Sequence, residues 1–188
     1  MARPDVFWGE ITPCEHSVQI YDDDAVFLDA LEGFIAGGLR KGDAAIVIAT
    51  PQHVRSLRSR LLSQGIDLNA AAFRDQYIEL DAADTLARFM RDGWPDDELF
   101  TECVRGILDR ARASGAGRVR AFGEMVALLW AQGHSGATVR LEHLWHSLCQ
   151  EEAFALFCAY PRTGFTQDAT ESIREICETH SRVLDRPH

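Results

Sequence analysis

The chain predicts an α/β fold with a mostly parallel central sheet, and three observations carry that prediction. Strand-type and helix-type segments alternate from end to end, the pattern of a sheet flanked by helices. Ala44-Ala-Ile-Val-Ile-Ala49 has no polar side chain on either face, which places it inside a sheet covered on both sides, where parallel strands lie. Phe154-Ala-Leu-Phe-Cys-Ala-Tyr160 is apolar throughout and is halted by Pro161.

Each element has its own local reason. Ser17-Val-Gln-Ile-Tyr21 alternates as a short strand, and Asp24 is placed to cap a helix whose Phe27, Leu28, Leu31, Phe34 and Ile35 recur at helical spacing. Gly37-Gly38 closes that helix, and Lys41-Gly-Asp43 turns the chain into the strand Ala44–Ala49. Thr50-Pro51 supplies a cap and a first-turn proline for a helix to about Ser63, stopped by Gly65. Tyr77-Ile-Glu-Leu80 is a third strand, Ala82–Met90 a short helix, and Asp96–Ala113 a longer one whose first-turn carboxylates suit the helix dipole. Val119-Arg-Ala-Phe122 is the fourth strand, Glu124–Ala131 and Ala137–Gln150 are helices, and Phe154–Tyr160 is the fifth strand. A last helix spans about Asp168 to Arg182. No repeat, low-complexity tract or linker divides the chain, so 188 residues form one domain large enough to bury its own core.

Composition narrows the partners. A net charge of -10 disfavours nucleic-acid phosphates and anionic lipid, and the best basic group, Arg55, Arg58 and Arg60, is a solvated helix face. Cys14, Cys103, Cys149, Cys158 and Cys177 are too scattered for a disulfide framework and contain no Cys-x-x-Cys pair, which suits a reducing cytoplasm. Met1–Glu15 lacks a signal-peptide core, and no run approaches the ~18 apolar residues of a membrane span.

Three stretches in the second half concentrate chemistry at the ends of apolar elements, where α/β folds place their ligand crevice: Arg120-Ala-Phe-Gly-Glu-Met125, Leu141-Glu-His-Leu-Trp145 and Cys158-Ala-Tyr-Pro161. They are expected to form one wall. Glu124 stands where a strand meets a helix, either capping N–H groups or facing the crevice. Met125 suits a soft apolar contact, although core packing is the commoner use of Met. Trp130 and Trp145 offer stacking surfaces or, more often, packing. Glu142, His146 and Cys149 form a stripe on one helix face, a geometry of metal ligands that Cys177 or His180 would complete; lacking paired ligand spacing, it is read as a structural helix edge. Cys158, inside an apolar strand, is read as a buried inert thiol sharing a face with Tyr160, and His16 is expected to reach the same end of the sheet.

A nucleotide hydrolase needs a Gly-rich loop with Lys-Ser/Thr after its first strand. Here that strand runs into Tyr21-Asp22-Asp23-Asp24, whose carboxylates repel a triphosphate. Calcium-loop spacing is also absent, and the acidic run is read as helix capping.

Assembled, these residues carry a resemblance at two levels. Phe34-Ile-Ala-Gly-Gly-Leu-Arg-Lys-Gly-Asp-Ala-Ala-Ile-Val-Ile-Ala49 with Gly65-Ile-Asp-Leu68 resembles RecA-like ATPases of the circadian-clock type. His16, Tyr21, Gly38-Leu-Arg-Lys-Gly-Asp43, Phe122-Gly-Glu-Met125, Leu128-Leu-Trp130, Leu141-Glu142, Trp145, Cys158-Ala-Tyr-Pro161, Ile176-Cys177 and His180 together resemble the MEDS domain, the sensory domain named for methanogens, methylotrophs and the dichloromethane-dehalogenase repressor. The resemblance implies a RecA-like three-layer fold without a Walker A loop, with residues 1–15 an extension, 16–183 the domain and 184–188 a tail. It also implies a sensor of small molecules, hydrocarbon derivatives among them, of a kind often joined to histidine kinase or DNA-binding domains. The chain departs from the family pattern in carrying no output domain and in having His146 where an Asn is expected, so direct transcription control is not expected of it.

The expectation is thus a non-catalytic, cytoplasmic sensory domain with no cofactor and no bound metal. It would bind a small, largely apolar molecule through His16, Tyr21, Glu124, Met125, Glu142, Trp145 and Tyr160, and signal through a partner such as a histidine kinase or transcription regulator. Self-association is compatible with the fold. The alternatives are an interaction module whose pocket is filled by side chains, or residual nucleotide binding.

Overall fold

The structure is a computed structural model that describes Trp8 and residues 11–164 and 170–184. The expected helix start at Asp168, most of the extension 1–15 and residues 185–188 lie outside the described residues.

Among the described residues six strands form one sheet: β1 (His16–Tyr21), β2 (Ala44–Ala49), β3 (Tyr77–Asp81), β6 (Val119–Gly123), β7 (Ala155–Pro161) and β8 (Arg182–Leu184). Their order is β3-β2-β6-β7-β1-β8, and every pairing is parallel. Between β3 and β6 lies a small antiparallel ladder, β4 (Met90–Arg91) with β5 (Trp94–Pro95). The helices are α1 (Asp24–Arg40), α2 (Pro51–Ser63), α3 (Leu68–Phe73), α4 (Ala82–Phe89), α5 (Asp97–Arg112), α6 (Met125–Ala131), α7 (Ser135–Glu152) and α8 (Thr170–Thr179). No helix of the described residues is long and apolar enough to cross a membrane.

Because strand side chains alternate between faces, the sheet separates two cores. One joins Ala45, Val47, Phe122 and Phe157 to Phe27, Leu31, Phe34 and Ile35 of α1 and to Leu57 and Leu61 of α2. The other joins Val18, Ile46, Ile48, Ala121, Leu156, Cys158 and Tyr160 to α4, α5, α6, α7 and Ile176 of α8. Helices on both faces of a parallel sheet make the three layers that the sequence predicts.

Local chemistry sets the helix starts. Asp23, not Asp24, caps α1, its carboxylate accepting from Ala25 N at 2.7 Å. Thr50 caps α2 with Pro51 at the first position, and Asp67, Asp81 and Asp96 cap α3, α4 and α5. Gly37-Gly38, expected to end α1, lies inside it. Gly38 is required there by a close approach, since a Cβ would meet Arg120 Cδ and Nε at 2.7 Å. The Arg120 side chain is held in turn by Asp43 at 2.8 Å and the Phe34 carbonyl at 3.1 Å.

Three elements escape the sequence reading: α3, the β4–β5 ladder and β8. The last helix ends at Thr179, and Arg182–Leu184 forms an edge strand on β1 instead of the helix end expected at Arg182. Trp8 and Ile11, assigned to the extension, pack in the core, where Trp8 Nε1 donates to the Ala30 carbonyl at 2.9 Å.

Candidate functional site

The expected single wall is divided by the fold into two polar clusters and a packed core. The first cluster lies at the C-terminal ends of β1, β2 and β6. Glu124 follows β6 directly and makes no capping hydrogen bond with its side chain. Its Oε2 accepts from Thr50 N at 2.7 Å, and its Oε1 lies 2.6 Å from His53 Nδ1, in the first turn of α2. His53 Nε2 is 3.8 Å from Asp24 Oδ2 at the start of α1. Both roles the sequence leaves open for Glu124 appear in the geometry: one carboxylate oxygen accepts from the backbone N–H at the start of α2, and the other faces His53 at the sheet edge.

An aromatic group flanks this polar pair: Phe27 stacks on Tyr21 at 4.8 Å, meets the edge of the His53 ring at 5.0 Å and lies 5.5 Å from Phe122. Burial pushes the Tyr21 phenol well above its ordinary pKa, and the carboxylates of Glu124 and Asp24 push it the same way. His53 is raised by its hydrogen bond to Glu124, against the opposing effect of burial, and the charges of Glu124 and Asp24 add to the rise. A histidine whose folded pKa lies above its unfolded value near 6.5 contributes stability that is complete below that value and is lost as pH rises through the folded one. Wild type is therefore expected to be more stable than His53→Gln at pH 6, with the gap closing toward pH 9; urea titrations across that range check it, and a gap that widens with pH contradicts the assignment.

The second cluster is on the opposite face of the sheet, beneath α7 and α8. His16 of β1, Glu142 of α7, Cys158 of β7 and His180, which follows α8, bring one ligand-type atom each within 4.8 Å of one another. Glu142 Oε2 is 3.4 Å from His16 Nε2, 3.3 Å from His180 Nε2 and 3.8 Å from Cys158 Sγ, and His16 Nε2 is 3.5 Å from that sulfur. Tyr160 Oη donates to the other oxygen, Glu142 Oε1. The His16 and Glu142 side chains are 0 % exposed, so these groups interact without solvent screening.

That dryness sets the protonation pattern. Burial, with the His180 charge adding to it, holds His16 down at about 4, although its hydrogen bond to Glu142 favours the proton. Burial also acts against charge on Glu142, but the two histidines outweigh it and hold the carboxyl well below its usual range. His180 is raised despite burial, because the Glu142 charge, its contact with that carboxylate and the bond from its Nδ1 to the Ile176 carbonyl favour the proton. Burial pushes the Cys158 thiol and Tyr160 phenol far up, and the Glu142 charge adds to both. The charges on Glu142 and His180 thus favour each other, while burial favours the neutral forms of His16, Cys158 and Tyr160.

The stripe Glu142, His146, Cys149 does not form a common site. Cys149 Sγ turns away to the Phe154 carbonyl at 3.0 Å and is pushed by burial to about 12. The His146 ring stacks beside His16 at 5.7 Å. His16 sits at the N-terminal end of β1, paired with Leu156, and its Nε2 lies 3.5 Å from Cys158 Sγ, on the face opposite Tyr21. Met125 and Trp145 are core residues: Trp145 crosses Phe100 at 5.2 Å and covers Gly123. Sequence reasoning missed His53, whose one signal was its place in the helix that follows a buried strand.

The turn from β1 to α1 is only Asp22-Asp23, and the α1 N-terminus is capped by its own carboxylate. No phosphate-encircling loop stands at this position, although a match to the family model described as "MEthanogen/methylotroph, DcmR Sensory domain" (MEDS) spans residues 15–181. The chain belongs to the MEDS family. Its fold is similar to that of a KaiC-like protein from the hyperthermophilic archaeon Pyrococcus horikoshii OT3, with a TM-score of 0.60 at 13% identity over 97% of this chain and 79% of that one. At that identity the likeness concerns the fold, and it bears out the RecA-like relation. No curated protein matches the chain. As a MEDS domain it has a sensory signalling role, and its two polar clusters are the places where chemistry departs from packing.

Proposed function

We propose that this MEDS domain is a non-catalytic sensory module that binds a small, largely apolar molecule with a polar end, and that passes the signal to a partner protein of the histidine kinase or transcription-regulator class. The reading rests on one observation: at the C-terminal edge of the sheet, where α/β folds hold ligands, the nearly buried Glu124–His53 pair stands beside the Tyr21–Phe27 stack. The aromatic group would hold the apolar body, and Glu124 would orient the polar end. The reducing cytoplasm expected from the scattered thiols belongs to the same reading.

Thermal-shift titration with 1-hexanol and hexylamine tests it. A saturable rise in midpoint is expected, strongest for the amine, whose ammonium pairs with the carboxylate; Glu124→Gln is expected to weaken it at least about tenfold, the scale of a lost charged hydrogen bond. Unchanged midpoints with both probes, or a response indifferent to Glu124→Gln, would sink the proposal. Burial of Met125, Trp145 and Tyr160 favours a second reading, an interaction module whose crevice is filled by side chains, and that reading predicts no response to either probe.

A further inference from the structure

We propose that His16, Glu142, Cys158 and His180 form a binding site for one divalent transition-metal ion of the zinc class, which fastens the α8–β8 segment to the sheet. The site lies on the opposite face from His53 and does not depend on the ligand proposed for the Glu124 edge.

Geometry carries the inference. A tetrahedral zinc ion with bonds of ~2.0–2.3 Å keeps mixed N, O and S ligand atoms ~3.3–3.7 Å apart. Four of the six separations in the cluster are 3.3, 3.4, 3.5 and 3.8 Å, and all six lie within 4.8 Å, so a modest inward shift of the ligands would seat the ion. The outer contacts are those of a metal site as well. His180 Nδ1 lies 2.5 Å from the Ile176 carbonyl, which directs Nε2 into the cluster, and Tyr160 holds the remaining Glu142 oxygen. His180 Nε2, though 3.3 Å from Glu142 Oε2, makes no well-directed hydrogen bond among the described residues, an unusual state for a buried ring nitrogen and one that a metal bond would relieve. Charge balances too: a dication with one carboxylate, one thiolate and two neutral imidazoles is neutral, which suits a fully buried cluster. On binding, the Cys158 thiol gives up its proton to solvent, His180 binds as the neutral imidazole, and no electron moves.

The four ligands come from β1, α7, β7 and the segment after α8. Ser181 strengthens the link, since its N donates to the His16 carbonyl and its Oγ accepts from His16 N, each at 2.8 Å. Metal occupancy would therefore govern how firmly the edge strand β8 and its helix dock. All four positions are filled by protein atoms, which makes this a structural or regulatory site and not a catalytic one with an open place for water.

The test uses the full chain, stripped with a chelator and then titrated with Zn²⁺ or Co²⁺. Native mass spectrometry is expected to show one equivalent bound. The thermal midpoint is expected to rise by roughly 5–10 °C when free zinc stands about a hundredfold above its dissociation constant. The Co²⁺ form should show tetrahedral ligand-field absorption and a thiolate-to-cobalt charge-transfer band, lost in Cys158→Ser and kept in Cys103→Ser. Tyr160→Phe is expected to weaken binding about 10–100-fold. Failure of the stripped wild type to take up either metal overturns the proposal, leaving the cluster a hydrogen-bonded network only; so does a charge-transfer band that persists in Cys158→Ser. Should that variant not fold, His180→Ala serves instead: bound cobalt with an unaltered ligand-field spectrum overturns the four-ligand assignment.

Discussion

Glu142→Ala is expected to destabilise the chelator-stripped protein by about 3–5 kcal/mol, the cost of removing one partner from a buried ion pair. The carboxylate is 0 % exposed and lies within 3.4 Å of two imidazole nitrogens while accepting from Tyr160. Without it, His16, His180 and the Tyr160 hydroxyl all lose the carboxylate they face in a dry core. Urea unfolding should show the loss as a lower transition midpoint at unchanged slope. Heating should show it as a drop of about 6–20 °C, given the ~2–4 °C per kcal/mol typical of a domain this size. A drop of under about 2 °C would mean that Glu142 contributes little to the fold.

Trp145→Ala is expected to cost a similar ~3–5 kcal/mol for a different reason, the loss of buried contact area together with a cavity that its neighbours fill only in part. The Trp145 indole is 1% exposed, crosses Phe100 edge-on, lies 6.3 Å from Phe154 and covers the backbone of Gly123. The same substitution separates packing from ligand stacking. A residue that stacks on a ligand would leave the ligand-free protein nearly as stable as wild type and weaken the 1-hexanol response. A packing residue lowers the midpoint without any probe present, which is the outcome the burial predicts.

The strands that face apolar side chains on both sides were the most legible elements. Ala44–Ala49 and the run ending at Pro161 can be buried in only one kind of place, a covered parallel sheet, and both are there. Thr50-Pro51 marked a helix start because it combines a side-chain acceptor with a residue that has no N–H to lose. The strand β8 was not legible, because three residues of mixed polarity carry no periodicity and their pairing partner, β1, lies at the other end of the chain. Helix α3 is six residues long, too short for a repeating apolar face.

The site residues divide in the same manner. Glu124 was found because the end of a buried strand before a helix is a position that local sequence can mark. The helical stripe placed Glu142 with His146 and Cys149, and with Cys177 or His180 as a fourth, while the groups that meet it are His16, Cys158 and His180. A helix period tells which residues of one element share a face, and it carries no information on what the next layer presents to that face.

By itself, then, the sequence determined the alternation of elements, the identity of the buried strands, the lack of a phosphate-binding loop and the family to which these follow. Only the tertiary structure decided that Tyr21 and Glu124 belong with His53 on one side of the sheet, and that His16, Glu142 and Tyr160 belong with Cys158 and His180 on the other. The reason is physical. Burial and capping are properties of a residue and its near neighbours, written in local composition, whereas the meeting of β1, α7, β7 and the segment after α8 depends on strand order and on which face each crossover covers.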